Sequence, residues 1–212
     1  MMYALTNALV FDGCELLNGY SVLIENNKIS SVVPNQQVSP QINSIDLNGS
    51  ILCPGFIDLQ LNGCGGVMLN GDFSSNNLER MHQTNLKSGA TNFMPTLITT
   101  NDQEMEQAVA VSREHSQNHG TVNLGLHLEG PYLSVDKKGI HSEKLIRQLN
   151  QQRLRFLLDN HDAVKKVTLA PEQVELASIS ALKEAGILVS LGHTNANYQQ
   201  ASDAINAGAG FA

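Results

Sequence analysis

Charge is scarce in this 212-residue chain: Asp, Glu, Lys and Arg make up 16% of it, against roughly a quarter in an ordinary soluble domain. Thirteen Lys and Arg stand against twenty Asp and Glu, a formal charge of −7, and there is no basic run. That balance argues against a surface built for nucleic acid or an anionic membrane. No apolar run approaches the ~20 residues of a membrane span. The opening Met1-Met2-Tyr3-Ala4-Leu5-Thr6-Asn7 lacks the basic, apolar and small-residue layout of a secretory signal. Cysteine is confined to Cys14, Cys53 and Cys64. An odd, sparse set without CxxC spacing favours reduced thiols and a cytoplasmic location over a disulfide framework. No GxGxxG follows the first strand of the repeating part, and Gly63-Cys64-Gly65-Gly66 lacks the Lys-Ser/Thr of a phosphate loop, so Rossmann and P-loop readings lose their main support. With apolar residues at 42%, the low charge points to buried, neutral strands rather than disorder.

The first fifty or so residues differ from the rest. Residues 3–11, 20–25 and 28–33 are short β-prone runs, split by Asp12-Gly13 and Asn26-Asn27, which is turn chemistry. Residues 34–44 are polar and rich in Pro, Gln and Asn, and strand-like pieces return over 45–53 around Asn48-Gly49. Residues 1–53 thus read as a small all-β unit with too few large side chains to bury a full core alone. From Pro54 onward strand, loop and helix repeat, the pattern of parallel βαβ units. Strands are predicted at 55–61, 91–97, 122–128, 164–170 and 187–191. Helices are predicted at 77–87, 101 to about 115, 150–159, 174–184 and 197–207, with Asn101 and Glu104 placed as a capping box. Residues 208–212 would open one more strand. Two architectures fit, an open doubly wound sheet or a (β/α)8 barrel cut short. A barrel needs eight strands and typically ~250 residues. The expectation for residues 54–212 is therefore an α/β TIM barrel truncated after about five units.

In such folds chemistry collects where strands end. The first strand of the repeating part reads Asp58-Leu59-Gln60-Leu61-Asn62, and a period of two puts Asp58, Gln60 and Asn62 on one face and both leucines on the other. A polar triplet facing a barrel interior suggests a site; a solvated strand end is the plainer alternative. The third strand ends His127-Leu128-Glu129-Gly130-Pro131, with His127 and Glu129 on one face. Glu129 either opens a polar loop or serves as a metal ligand or general base. The fifth ends Ser190-Leu191-Gly192-His193. A lone histidine there is more often a hydrogen-bonded loop residue, but a carboxylate and an imidazole from separate strand ends are one way to build a catalytic zinc site. Such a site takes three protein ligands, and two are visible. His141, in Lys137-Lys138-Gly139-Ile140-His141, follows the third strand on the same side, placed to reach a substrate that an adjacent pair of lysines would suit if anionic. His82, His115 and His119 read as surface residues of the outer helices, and His161 falls on the opposite end of the fold.

Taken in order, these segments resemble a known family. Pro54-Gly55-Phe56-Ile57-Asp58, Gln60-Leu61-Asn62-Gly63, Pro95-Thr96-Leu97-Ile98-Thr99-Thr100, Gly125-Leu126-His127-Leu128-Glu129-Gly130-Pro131, Lys138-Gly139-Ile140-His141, Leu169-Ala170-Pro171-Glu172 and Gly192-His193-Thr194 are similar to the N-acetylglucosamine-6-phosphate deacetylases of the amidohydrolase superfamily. The resemblance implies a metal-dependent (β/α)8 barrel, here residues 54–212, and a small β-sandwich built from both chain ends, here residues 1–53. It implies metal-assisted hydrolysis of a small-molecule substrate, N-acetylglucosamine 6-phosphate, to glucosamine 6-phosphate and acetate, by a homodimeric parent. Glu129 and His193 would be metal ligands, and Ile140 (through its backbone) and His141 would contact substrate. A third ligand, a histidine, and the catalytic aspartate would both lie beyond Ala212, so these residues alone are expected to be inactive. Most of the superfamily carries His-x-His on the first strand. Gln60 and Asn62 stand there instead, either supporting the ligands from behind or as vestigial second-metal positions, which implies one divalent ion, zinc by expectation, rather than two. Two other readings remain: a cyclic-amide amidohydrolase, which would need a bridging lysine where Thr168-Leu169-Ala170-Pro171 stands, and a non-catalytic barrel that binds sugar phosphate.

Overall fold

A computed structural model describes residues 1–212, which form two compact units, Met1–Gly55 and Phe56–Ala212. The first is all β. Its strands are β1 (Met2–Thr6), β2 (Leu9–Phe11), β3 (Leu16–Leu17), β4 (Tyr20–Glu25), β5 (Lys28–Pro34), β6 (Asn43–Asp46) and β7 (Ile51–Leu52). They make a four-stranded sheet in the order β5-β4-β1-β6 and a three-stranded sheet in the order β3-β2-β7. The turn residues act as their chemistry dictates. Asn26 and Asn27 both take positive φ between β4 and β5, and the Asp12 carboxylate accepts the backbone N–H groups of Cys14 and Glu15. The run at 3–11 is two strands rather than one, because Asn7 adopts φ 53° and turns the chain from one sheet to the other. Leu5, Val22, Ile24 and Val32 of the larger sheet line one apolar cavity with Val10 and Leu52 of the smaller. Only Ala4, Val10 and Val22 are buried apolar residues here, while Ile29, Ile45 and Ile51 stay exposed. So thin a core matches a unit too small to bury much by itself.

The second unit carries β8 (Phe56–Leu61), a hairpin of β9 (Gly63–Cys64) and β10 (Val67–Met68), β11 (Ala90–Ile98), β12 (Leu126–Glu129), β13 (Val164–Leu169) and β14 (Leu188–Leu191). Its helices are α1 (Ser75–Leu86), α2 (Asp102–His119), α3 (Gln151–Asp159), α4 (Leu176–Glu184) and α5 (Tyr198–Ala207). The parallel strands run β14-β13-β12-β11-β8, each joined to the next by one helix. This is a half-barrel, with five βα units and one further parallel bridge, Ser190 to Phe211. Leu78 and Met81 of α1, Phe93 and Leu97 of β11, Leu126 of β12 and Leu157 of α3 belong to one continuous core.

Local signals place the helices. Ser74, Asn101, Asn150 and Asn197 each accept the N–H three residues on, satisfying a donor the helix start leaves free. The capping box is found at Asn197 and Gln200, not at Asn101. There the Glu104 carboxylate accepts the Thr100 hydroxyl instead of reaching back. The third strand starts at Leu126 rather than 122, because a 3-10 turn occupies Gly120–Val122 and Gly125 follows at φ 109°. A Cβ on Gly125 would fall 2.2 Å from Lys165. Of the three histidines of α1 and α2, His119 is exposed as expected, but the other two are not surface residues. His115 is fully buried and His82 nearly so, and burial lowers the pKa of His115.

Candidate metal centre

The C-terminal ends of β8, β11, β12 and β14 bring together residues far apart in sequence. Glu129 ends β12 and is buried. Its Oε2 accepts from Asn62 Nδ2 at 2.9 Å. Its Oε1 lies 3.0 Å from His193 Nε2 and 3.8 Å from His141 Nε2. The rings of His141 and His193 meet edge to face at 4.5 Å. The His141 imidazole, together with Asn62 and His193, holds the Glu129 carboxyl down at about 2 against the opposing effect of burial. Glu129 is a carboxylate at any ordinary pH.

Two glycines let the strands leave the sheet at this point. Gly130 has φ 86°, and a Cβ there would fall 2.3 Å from Thr99 Oγ1. Gly192, just before His193, lies so close to Thr168 that a Cβ would fall 2.6 Å from its methyl. His193 itself has φ 50°, and its carbonyl accepts the Ser134 N–H.

Backbone partners set the roles of the two imidazoles. Nδ1 of His193 lies 3.0 Å from the Lys137 carbonyl. A carbonyl only accepts, so Nδ1 carries the proton, and a neutral ring points its Nε2 lone pair at Glu129. Nδ1 of His141 instead accepts the Thr99 N–H at 3.3 Å, with Thr99 Oγ1 at 2.8 Å. In a neutral His141 the proton therefore sits on Nε2 and faces the site. One imidazole is prepared as a ligand, the other as a donor. A lone pair and a carboxylate oxygen 3.0 Å apart repel unless a proton or a cation stands between them. This donor set, one carboxylate oxygen and one imidazole nitrogen with its far side fixed by a carbonyl, suits a divalent cation.

Of the residues singled out from sequence, Glu129, His193, His141 and Asn62 converge. Gln60 does not: its side chain is exposed, and only its backbone N–H is engaged, by Asp58. β8 lies at the edge of the sheet, and of the two leucines expected on the opposite face Leu61 is buried while Leu59 is exposed. The Ile140 side chain is 85% exposed. His127 shares its strand with Glu129 but bonds sideways, to Thr96 Oγ1 at 3.1 Å and Thr168 Oγ1 at 2.7 Å. Burial first, then the Lys166 charge, brings its pKa down to about 3, so it is a neutral spacer between strands.

Sequence reasoning missed Thr99, the Lys137 carbonyl and Glu172. Glu172 holds the segment after His193 by accepting the Asn195 N–H at 2.7 Å and the Thr194 hydroxyl. Thr99 and Glu172 both fall just past strand ends, a positional signal. A backbone carbonyl offers none.

A sequence profile described as the NagA composite domain matches residues 2–52, and one described as the amidohydrolase family matches residues 51–211. The chain is 44% identical, over its whole length, to an N-acetylglucosamine-6-phosphate deacetylase of Haemophilus influenzae, covering 56% of that protein. The crystal structure of an N-acetylglucosamine-6-phosphate deacetylase from Pasteurella multocida superimposes with a TM-score of 0.96 at 48% identity, over 99% of this chain and 55% of that one. A D-hydantoinase structure shares the fold at a TM-score of 0.55 and 20% identity, over 90% of this chain and 40% of that one. The chain spans about half the length of the relatives it matches. With a profile covering most of its residues, the chain belongs to the amidohydrolase family.

Proposed function

We propose that these residues form the N-terminal part of a metal-dependent N-acetylglucosamine-6-phosphate deacetylase, which splits the 2-acetamido group with water to give glucosamine 6-phosphate and acetate. The observation that carries the reading is the 3.0 Å approach of His193 Nε2 to Glu129 Oε1 while Nδ1 is committed to a carbonyl. In this reading residues 1–53 are part of a β-sandwich and residues 54–212 part of a (β/α)8 barrel. Glu129 and His193 hold one divalent ion, zinc by the chemistry of a mixed nitrogen and oxygen set. When bound, the ion polarises the acetamido carbonyl and lowers the pKa of water.

The chain's own residues do the rest. Asn62 occupies the far oxygen of Glu129 and fixes which oxygen faces inward. His141, oriented by Thr99, offers its Nε2 proton to the carbonyl oxygen as negative charge builds there. Gly139 lies beside the His193 ring, where an added Cβ would come to 3.7 Å from Cε1, and in this reading the adjoining Ile140 backbone contacts the substrate. Cleavage of the C–N bond needs a proton on the departing amine, and the reading assigns that acid and a further ligand to the part of the relatives this chain does not span. The three free thiols support a reducing, cytoplasmic setting.

The cyclic-amide alternative needs a lysine at the rim end of β13. That strand's buried lysine, Lys166, lies over the Phe211 ring at 4.2 Å and makes no ion pair with Glu129. The test is acetate release from N-acetylglucosamine 6-phosphate together with metal content. The 212-residue chain is expected to retain a divalent ion that Glu129→Gln or His193→Asn removes, and to release no acetate above background. Native-like turnover by these residues alone, or metal content indifferent to both substitutions, would overturn the reading.

A further inference from the structure

A second cluster of histidines and a carboxylate lies away from the rim, between α1 and α2. Oε2 of Glu79 stands 3.6 Å from His82 Nδ1, 3.5 Å from His115 Nε2 and 3.4 Å from His119 Nδ1. Helical spacing builds it: Glu79 and His82 are three apart on α1, and His115 and His119 four apart on α2, so each pair shares a helix face.

These approaches are not hydrogen bonds. Oε2 of Glu79, Nδ1 of His82 and both ring nitrogens of His115 are buried without any partner. His115 is 0% exposed. Buried polar atoms nearly always find a partner, and here four lack one within one cluster. Phe93 forms the floor, stacked on His82 at 6.0 Å and edge-on to His115 at 6.2 Å, while the partly exposed His119 ring stacks on His115 at 4.3 Å and has to turn for both in-plane lone pairs to meet one ion. A proton on one nitrogen would satisfy a single contact. A cation among the donors satisfies several at once.

The distances from the carboxylate to the imidazoles suit zinc. In a tetrahedral zinc site with bonds of about 2.0–2.1 Å, neighbouring ligand atoms are about 3.3–3.4 Å apart, close to the separations found here. The ligand atoms of Glu79, His115 and His119 all lie within 4.8 Å of one another. The side chains of His119 and Glu79 are 37% and 33% exposed, which leaves a way in.

We propose that Glu79, His115 and His119 form a structural zinc site that ties α1 to α2, with His82 beside the carboxylate as a positioning neighbour and water in the fourth position. The site is independent of the rim and its chemistry.

The experiment is done in the Glu129→Gln chain, so that the rim contributes as little as it can. Zn2+ is added, excess is removed by gel filtration, and metal per chain is counted; Co2+ replaces it for visible absorption. One equivalent of zinc is expected, with a tetrahedral Co2+ spectrum. Adding His119→Ala or Glu79→Gln should weaken binding by at least about tenfold and abolish the rise in Tm that zinc produces. Circular dichroism without metal checks that the partly exposed His119→Ala variant folds, and Glu79→Gln, nearly isosteric, gives an independent arm. Zinc absent from the Glu129→Gln chain, or retained equally in both double variants, overturns the proposal. Each comparison is made within one background, so the outcome does not depend on whether the rim binds metal.

Discussion

Asn62 and Glu129, 67 residues apart, are joined by a 2.9 Å hydrogen bond between the ends of β8 and β12, two strands separated in the sheet by β11. The bond spans the rim and settles which carboxylate oxygen is left for His193.

Removing it should loosen the ligand without removing it. Asn62→Ala is expected to lower divalent-metal affinity about 10–100-fold, the usual effect of losing a group that orients a ligand, with the far-UV circular dichroism unchanged. Competition against a chromophoric chelator measures this. An affinity equal to the unsubstituted chain's would mean that Asn62 has no part in the site.

Gly192 tests how tightly the strand end is packed. Gly192→Ala would put a methyl 2.6 Å from Thr168 Cγ2, and overpacking of this kind costs about 1–3 kcal/mol. Thr168→Ser removes the opposing methyl while keeping a hydroxyl for His127 Nε2. The double variant should therefore recover most of the loss in urea midpoint seen with Gly192→Ala alone. If Thr168→Ser gives no recovery, the contact with Thr168 is not what requires glycine.

These two cases mark what the sequence made legible. The cap at Asn101 was readable because a cap is a local device, decided within three residues. Glu129 and His193 were readable because a parallel α/β fold gathers the ends of its strands. The Glu79–His115 cluster was not, since helix periodicity places His115 on a face but does not say which helix covers it. Gln60 is exposed for a related reason: alternation predicts a face, but β8 has a neighbour on one side only. The swap of capping roles between Glu104 and Gln200 came from a competitor, Thr100, adjacent to the cap and capable of donating to the same carboxylate.

The cap on α5 is the more complete of the two and should matter accordingly. Asn197 accepts the Gln200 N–H, and Gln200 Oε1 accepts the Asn197 N–H, both at 2.9 Å. Asn197→Ala removes the first bond and is expected to cost about 1 kcal/mol in chemical denaturation. Gln200→Ala removes only the second and should cost less. The reverse order would show that the Gln200 side chain, not the Asn197 cap, starts the helix.

The Asp162–Arg113 pair gives the fold a pH dependence away from any metal site. Arg113 donates from Nε to Asp162 Oδ2 at 2.6 Å and from its guanidinium to Oδ1 at 2.8 Å, which brings the Asp162 carboxyl down to about 2, below the ~3.9 of an unfolded chain. A carboxyl with a depressed folded pKa adds stability that is complete above its unfolded value. That stability is lost as pH falls through the folded one. The Asp162 side chain is 52% exposed, so solvent screening limits the contribution to about 1 kcal/mol or less. Unfolding free energies of the unsubstituted chain and Asp162→Asn should differ by a constant amount above pH 4, converge between pH 4 and 2, and coincide below that. High salt should shrink the difference at neutral pH, since the pair is open to solvent. A gap that stays constant down to pH 2 would show that Asp162 acts through geometry rather than charge.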